Sequence, residues 1–331
     1  MNIKKIGLTA LAGSLVATSA FAGALTLSGG AKISYTTKGG TVDSGLAGSG
    51  FAMDQEIAAS GSGEMDNGFI ISVAHGMKGM NSAGSDTSSL TLDMGDLGKL
   101  SYNDTDGHAG LAGLEDKMPL AYEQANDGLG TTAIKATMAK MASGPGFGYS
   151  TTMGGAAISL AWSDGLGAST DRTDGGIDKT VLSTNSSSSI AVTYDVADIG
   201  LTVFGGTGEE GQSDGKQLDH TTLGAIYAYG PVKVGYQINE EDDSDSTSTT
   251  TDMDTEIYSI AFMVNDNLSI SYGEHNTDKE GSTVDQEAES MQASYSMGGM
   301  TINLKDSEMS GVNHDSANTH ETTEILVTFA F

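Results

Sequence analysis

Glu324-Ile325-Leu326-Val327-Thr328-Phe329-Ala330-Phe331 closes the sequence. Ile325, Val327, Phe329 and Phe331 share one face of an extended chain. Glu324, Thr328 and Ala330 share the other, with Leu326 as the one apolar intruder. Alternation at period 2 reads as a half-buried β-strand. In water an apolar edge of this kind is a template for aggregation. In lipid it is stable as part of a sheet closed on itself, because closure leaves no backbone group unpaired. The stretch therefore predicts the closing strand of a membrane barrel.

The other end of the chain fits an exported protein. Residues 1–22 read as a secretory signal: Lys4 and Lys5 form the charged start, Ile6 to Val16 the apolar stretch, and Ala20-Phe21-Ala22 the small-x-small cleavage pattern. The expected mature chain is 23–331, a single barrel domain. No later stretch approaches the run of about 18 apolar residues that a membrane helix needs, so insertion is expected through strands. Cysteine is absent, and stability is expected from size and backbone hydrogen bonding rather than disulfides. Only 37% of residues are hydrophobic, low for a large packed core but suited to strands with one apolar face and a wet interior.

Period-2 segments recur along the whole mature chain. Leu223, Ala225, Tyr227 and Tyr229 alternate with Thr222, Gly224, Ile226 and Ala228. After Gly230-Pro231, Val232, Val234, Tyr236 and Ile238 alternate with Lys233, Gly235, Gln237 and Asn239. This is a hairpin with one apolar and one mostly polar face. Seven tight turns stand out: Glu64–Gly68, Gly95–Gly98, Met153–Gly155, Ala197–Gly200, Tyr229–Pro231, Asn265–Asn267 and Met297–Gly299. Gly, Asn and Asp supply the positive φ that short hairpins need. Seven hairpins with one further strand at each end give sixteen strands, an even number as single-chain bacterial barrels require. Longer polar segments lie near 39–50, 79–88, 105–146, 165–185, 210–218, 241–253, 276–286 and 310–319. Short turns at one end and long loops at the other are the asymmetry of an outer-membrane barrel. The fold class expected is all-β, a 16-stranded antiparallel transmembrane barrel.

Three segments carry a resemblance to a known family. Ala24–Gly29 followed by Ala31–Tyr35 is similar to the first strand of the general diffusion porins. Gly98–Gly107 resembles the strand leading into their third loop, and Tyr149–Gly155 the hairpin after it. The chain looks most like the alphaproteobacterial, Rhodobacter-like type. The resemblance implies an outer-membrane homotrimer in which a long third loop folds into the lumen and narrows it. Loop acids would then face a basic cluster on the wall.

The third connection, about 105–146, is the longest here, and a loop of this length in a compact protein is usually functional. It carries Asp106, Glu115, Asp116, Glu123 and Asp127, and within it Thr131 to Ser143 reads as a short helix or an extra strand. The chain departs from the family on the opposite side. Its one arginine, Arg172, falls in the fourth loop, and the basic side chains that alternation points inward are Lys32, Lys99, Lys233 and Lys305.

The formal charge of −29 becomes −31 once Lys4 and Lys5 are removed. A negative vestibule concentrates cations over about a Debye length, so a cation-preferring pore is expected, weakening with salt. This charge argues against nucleic acid as a partner. Lipopolysaccharide, outer-membrane lipid and small hydrophilic solutes are the partners that fit. No cofactor is required. Asp104 and Asp106 offer carboxylates of the kind calcium takes as a structural ion, without the full twelve-residue calcium-loop pattern.

Neither a nucleophile elbow in a strand–helix context nor a His-Glu-x-x-His site occurs, so an enzyme is not expected. The sequence thus predicts a water-filled channel for passive diffusion. A substrate-specific channel is the alternative, and behind it a barrel enzyme or adhesin.

Overall fold

The computed structural model describes residues 25–41, 48–79, 84–103, 109–129, 146–163, 186–211, 217–243 and 252–330. Five sequence readings lie outside the described residues: the signal segment, Asp104 and Asp106, Thr131 to Ser143, Arg172 and Phe331.

Sixteen antiparallel strands form one closed barrel. In chain order they are β1 (Thr26–Gly40), β2 (Gly48–Glu64), β3 (Ile70–Lys78), β4 (Gly84–Asp93), β5 (Lys99–Asn103), β6 (Gly146–Met153), β7 (Ala156–Ser163) and β8 (Ser187–Val196). The second half runs β9 (Leu201–Gly211), β10 (Gln217–Tyr229), β11 (Val232–Asp243), β12 (Met253–Asn265), β13 (Leu268–Lys279), β14 (Gln286–Met297), β15 (Met300–Ser310) and β16 (Thr319–Ala330). Each strand pairs with its sequence neighbour, and β16 closes on β1 with Ile33 opposite Val327 and Tyr35 opposite Ile325.

All seven short turns fall where the Gly, Asn and Asp clusters put them. Asn265 Oδ1 accepts from the amides of Asn267 (2.9 Å) and Leu268 (3.1 Å), holding the β12–β13 turn without help from the sheet. Gly154 and Gly298 take positive φ of 60° and 61°, as their tight turns require.

The distribution of side chains is that of a soluble protein turned inside out. Leu27, Phe51, Val73, Leu223 and Phe329 are exposed on the outer wall, while Gln237, Asn239, Thr255, Ser290 and Thr322 are buried on the inner one. A sheet with this polarity is stable with its outer face in hydrocarbon and its inner face in water. Leu326, the apolar residue that breaks the alternation of the last strand, lies on the inner face with Glu324 and Thr328.

The outer wall is itself divided. Among the described side chains, none on an outward position of β1–β8 is a Lys, Arg, Asp or Glu. On β11–β14 the outward rows end in carboxylates held by tyrosines. Tyr258 donates to Glu256 Oε2 at 2.8 Å, and the Tyr272 hydroxyl lies 2.6 Å from both Glu274 Oε1 and Glu289 Oε2, donating its one proton to either. An aromatic ring with a polar tip is at home where hydrocarbon meets headgroup, so this tyrosine row marks the edge of the lipid band.

Candidate functional site: a loop strapped across the lumen

The inner wall carries a loop. Between β5 and β6 the chain enters the barrel, and residues 109–129 cross its inner face from β7 to β16. The backbone of this segment has no strand partner, so wall side chains satisfy it. Gly110 N–H donates to Ser159 Oγ on β7 (2.8 Å) and Leu111 N–H to Ser189 Oγ on β8 (3.0 Å). A 3₁₀ segment, Gly110–Lys117, follows. Leu111, Leu114 and Met118 then bury against Ala191, Phe204 and Ile257.

Further along, Ala121 N–H donates to Ser271 Oγ on β13 at 2.8 Å. Gln292 on β14 accepts from the amides of Tyr122 (2.9 Å) and Glu123 (3.1 Å) and returns a bond to the Glu123 carbonyl (2.6 Å). Lys305 Nζ on β15 donates to the carbonyls of Gln124 (2.6 Å) and Asp127 (2.8 Å). Thr322 Oγ on β16 reaches the Gly128 carbonyl at 3.2 Å. Among the described residues the strap's fastenings thus run from β7 round to β16.

Glycines record the same path. A Cβ on Gly206 of β9 would sit 2.8 Å from a Leu111 methyl, and one on Gly235 of β11 2.6 Å from the Pro119 ring. On Gly273 of β13 it would lie 2.8 Å from a Leu120 methyl. Glycine within a strand marks a close approach by another segment, and here that segment is the loop.

The sequence-predicted residues have different fates. Glu115 is half-buried in the 3₁₀ segment, and the side chain of its neighbour Asp116 lies outside the described residues. Asp127 Oδ2 accepts from the Gln124 amide at 3.0 Å and so closes the turn at the end of the strap. Glu123 Oε2 lies 3.6 Å from Lys305 Nζ; the lysine side chain is 3% exposed and the glutamate 38%.

Of the wall lysines, Lys99 pairs with Asp93 at 2.9 Å beside the β4–β5 turn. Lys233 stands in the first residues of β11, also at the short-turn end. Lys32 faces inward on β1, with Asp54 and Thr328 as ladder neighbours. Lys305 shares their face but lies beneath the loop, out of reach of solutes.

Among the described residues three further lysines share the inner face, Lys38 on β1, Lys78 on β3 and Lys279 at the end of β13, and Asp54 and Glu56 stand on β2 between the first two of those strands. The alternation that singled out Lys32 places Lys38 on the same side, so this signal was present. Nothing in the residues marked Ser159, Ser189, Ser271 and Gln292 as the loop's partners, because those contacts span 49 to 170 positions of sequence.

Tyr122 ties the loop to the closure of the barrel. Its hydroxyl donates to Glu324 Oε1 at 3.0 Å, while Thr36 Oγ of β1 reaches Glu324 Oε2 at 3.3 Å. Burial, with Glu123 and Glu324 beside it, raises the phenol above its ordinary pKa, so it stays a donor throughout the working range. Below the first part of the strap lies a cavity of about 900 Å³ bordered by Lys99, Lys117, Thr193 and Asp195.

Among the described residues no group of three His, Asp or Glu side chains is arranged to hold a metal. The nearest approach to an acid–base cluster is His220, 3.5 Å from Glu210 and 3.7 Å from Glu241. It is 1% exposed, so no substrate reaches it.

A closed sixteen-stranded barrel, apolar outside, polar inside and narrowed by an inward loop, defines the outer-membrane diffusion channels. The family profile described as Gram-negative porin matches residues 7–302, and the chain belongs to that family. The protein is thus an outer-membrane porin. Solved structures with the same fold include engineered variants of the Rhodopseudomonas blastica porin, at 14% identity with a TM-score of 0.65 and at 15% with 0.64. In each case the match covers 93% of this chain and 100% of the other. A third, titled "Asymmetric conductivity of engineered proteins", matches at 15% identity and a TM-score of 0.65 over the same shares. The chain has no match among curated proteins.

The glycine footprint gives a direct test. Gly273→Val places a branched side chain where Leu120 lies and lifts the strap off the wall into the open bore. The expected result is an assembled barrel with lower single-channel conductance, destabilised by about 1–3 kcal/mol for overpacking. Unchanged conductance in a folded variant would mean that the loop does not run over β13.

Proposed function

We propose that this porin passes small hydrophilic solutes and ions by passive diffusion and prefers cations. One observation carries the preference. In the ion pair between strap and wall, Glu123 keeps a substantial surface toward the lumen while Lys305 is covered. The pore meets the acid and not the base. With −29 formal charges on the chain, the vestibules add to the same sign.

Chemistry is not needed: a wet bore and a field suffice. Aromatic residues on the described inner wall do not form a track. Phe204 is buried under the strap and Tyr122 belongs to the loop, which favours general diffusion over a dedicated substrate path.

By resemblance to its family the chain assembles as a homotrimer after removal of residues 1–22. The outer wall of β1–β8, uncharged among the described side chains, suits packing against further copies. The carboxylate-edged wall beyond it suits lipopolysaccharide, whose phosphates would share divalent cations such as calcium with those acids. Asp104 and Asp106 are further candidates for that ion. Native mass spectrometry of detergent-extracted protein tests both points. Three chains, with lipopolysaccharide released by chelator, is the expected result, and a bare monomer is the contrary one.

The selectivity test is reversal potential in a planar bilayer under a salt gradient. A cation-side potential is expected, shrinking as salt rises and as the bath is acidified toward the ordinary carboxylate range of about pH 4. An anion-side potential would show that the wall lysines dominate the bore.

A further inference from the structure

We infer that Lys305 is a positioning residue: a buried cationic pin that holds the strap in place and limits the negative charge behind it, rather than a wall charge that solutes meet. The inference deepens the channel reading given above and rests on it.

An ammonium group has three donors and no acceptor. Two of these reach the carbonyls of Gln124 and Asp127, at 2.6 and 2.8 Å, and the third side of the group faces Glu123 at 3.6 Å. The two carbonyls belong to one turn. That turn is closed by the Asp127 amide donating to the Gln124 carbonyl (3.2 Å) and by the Asp127 carboxylate accepting from the Gln124 amide (3.0 Å). Lys305 thus grips a turn that is already rigid, and does so from the wall. The strap's other backbone fastenings to the wall are the neutral hydroxyl and amide groups of Ser159, Ser189, Ser271, Gln292 and Thr322, and the Tyr122 side chain adds a bond to the Glu324 carboxylate. Among the described residues, Lys305 is the one cation that bonds the strap's backbone.

Its electrostatic setting is lopsided. Asp127, Glu123 and Glu324 all act on this one ammonium. Glu324 is the residue that ties Tyr122 of the loop and Thr36 of β1 together. Removing the ammonium would leave three carboxylates without their shared counter-charge, with two carbonyls unanswered. Mutual repulsion would then push the strap away from the wall.

Two separable effects follow, because the pin supplies both bonds and charge. In a planar bilayer, Lys305→Met should raise open-channel noise several-fold over wild type and move the reversal potential further toward cations. Lys305→Met combined with Glu123→Gln restores the charge count, so its reversal potential should return toward the wild-type value while its noise stays high. These readings are differences from wild type, so the sign of the wild-type potential, which tests the channel reading, does not enter. A folded Lys305→Met channel as quiet as wild type, with an unmoved reversal potential, would overturn the inference.

A second measurement uses the unaltered porin and does not depend on a variant assembling. With an amine-modifying reagent on the membrane-inserted protein, exposed Lys99 should be modified and Lys305 protected. Modification of Lys305 as fast as Lys99 would equally overturn it.

Discussion

Backbone hydrogen bonding in hydrocarbon is the constraint on which the rest of the structure depends. An unpaired N–H or C=O in lipid costs several kcal/mol, so a sheet that enters a bilayer must have no edge. The ladder between β1 and β16 removes the last edge, with eleven residue pairs from Gly30–Ala330 to Gly40–His320. Once closure is required, the two faces of each strand meet different solvents. Outward positions become Ile, Val, Leu, Tyr and Phe, and inward positions Ser, Thr, Asn, Gln and charged residues. A bore lined in this way fills with water, and its width is governed by whatever folds into it.

That segment raises the same constraint again. Inside the barrel the strap between β5 and β6 has its own backbone groups to satisfy and no free strand to pair with. The wall answers with serine hydroxyls, one glutamine, one threonine and one lysine, each on an inward position of a different strand. Glycines on β9, β11 and β13 allow the loop's apolar side chains to come close. Wall and loop thus form a single polar network with a small apolar core beneath it, and barrel closure joins that network through Glu324. Selectivity and bore width are then two readings of one arrangement, because the groups that fix the loop also carry the charge near it.

The barrel was legible because its cause is local. Period-2 alternation and positive-φ turn residues are properties of neighbouring positions, and the seven hairpins and sixteen strands follow from them. The fates of Lys99 and Lys305 were not legible. Both point inward by alternation, yet one is paired with Asp93 at the short-turn end and the other lies covered by a loop from far away in the chain. Parity gives the face of a strand, whereas only the path of the loop decides which inward residues still meet water. One local signal of that path was in the sequence. Gly206, Gly235 and Gly273 interrupt strands that otherwise carry side chains, and glycine in a strand interior marks close approach.

In the working channel the strap lies against the inner wall, and the absence of cysteine from the sequence makes a clean test available. Ala121 and Ser271 are joined by a 2.8 Å hydrogen bond from loop amide to wall hydroxyl, so cysteines at these two positions stand as neighbours. Ala121→Cys with Ser271→Cys should close a disulfide in the inserted protein under mild oxidation, since that bond needs Cβ atoms roughly 4 Å apart. Single-channel conductance, measured before and after oxidation in the same bilayer, should be nearly unchanged, because the bond locks the loop where it already lies. Failure of the pair to close in a folded barrel, or a large conductance step on closure, would contradict the account.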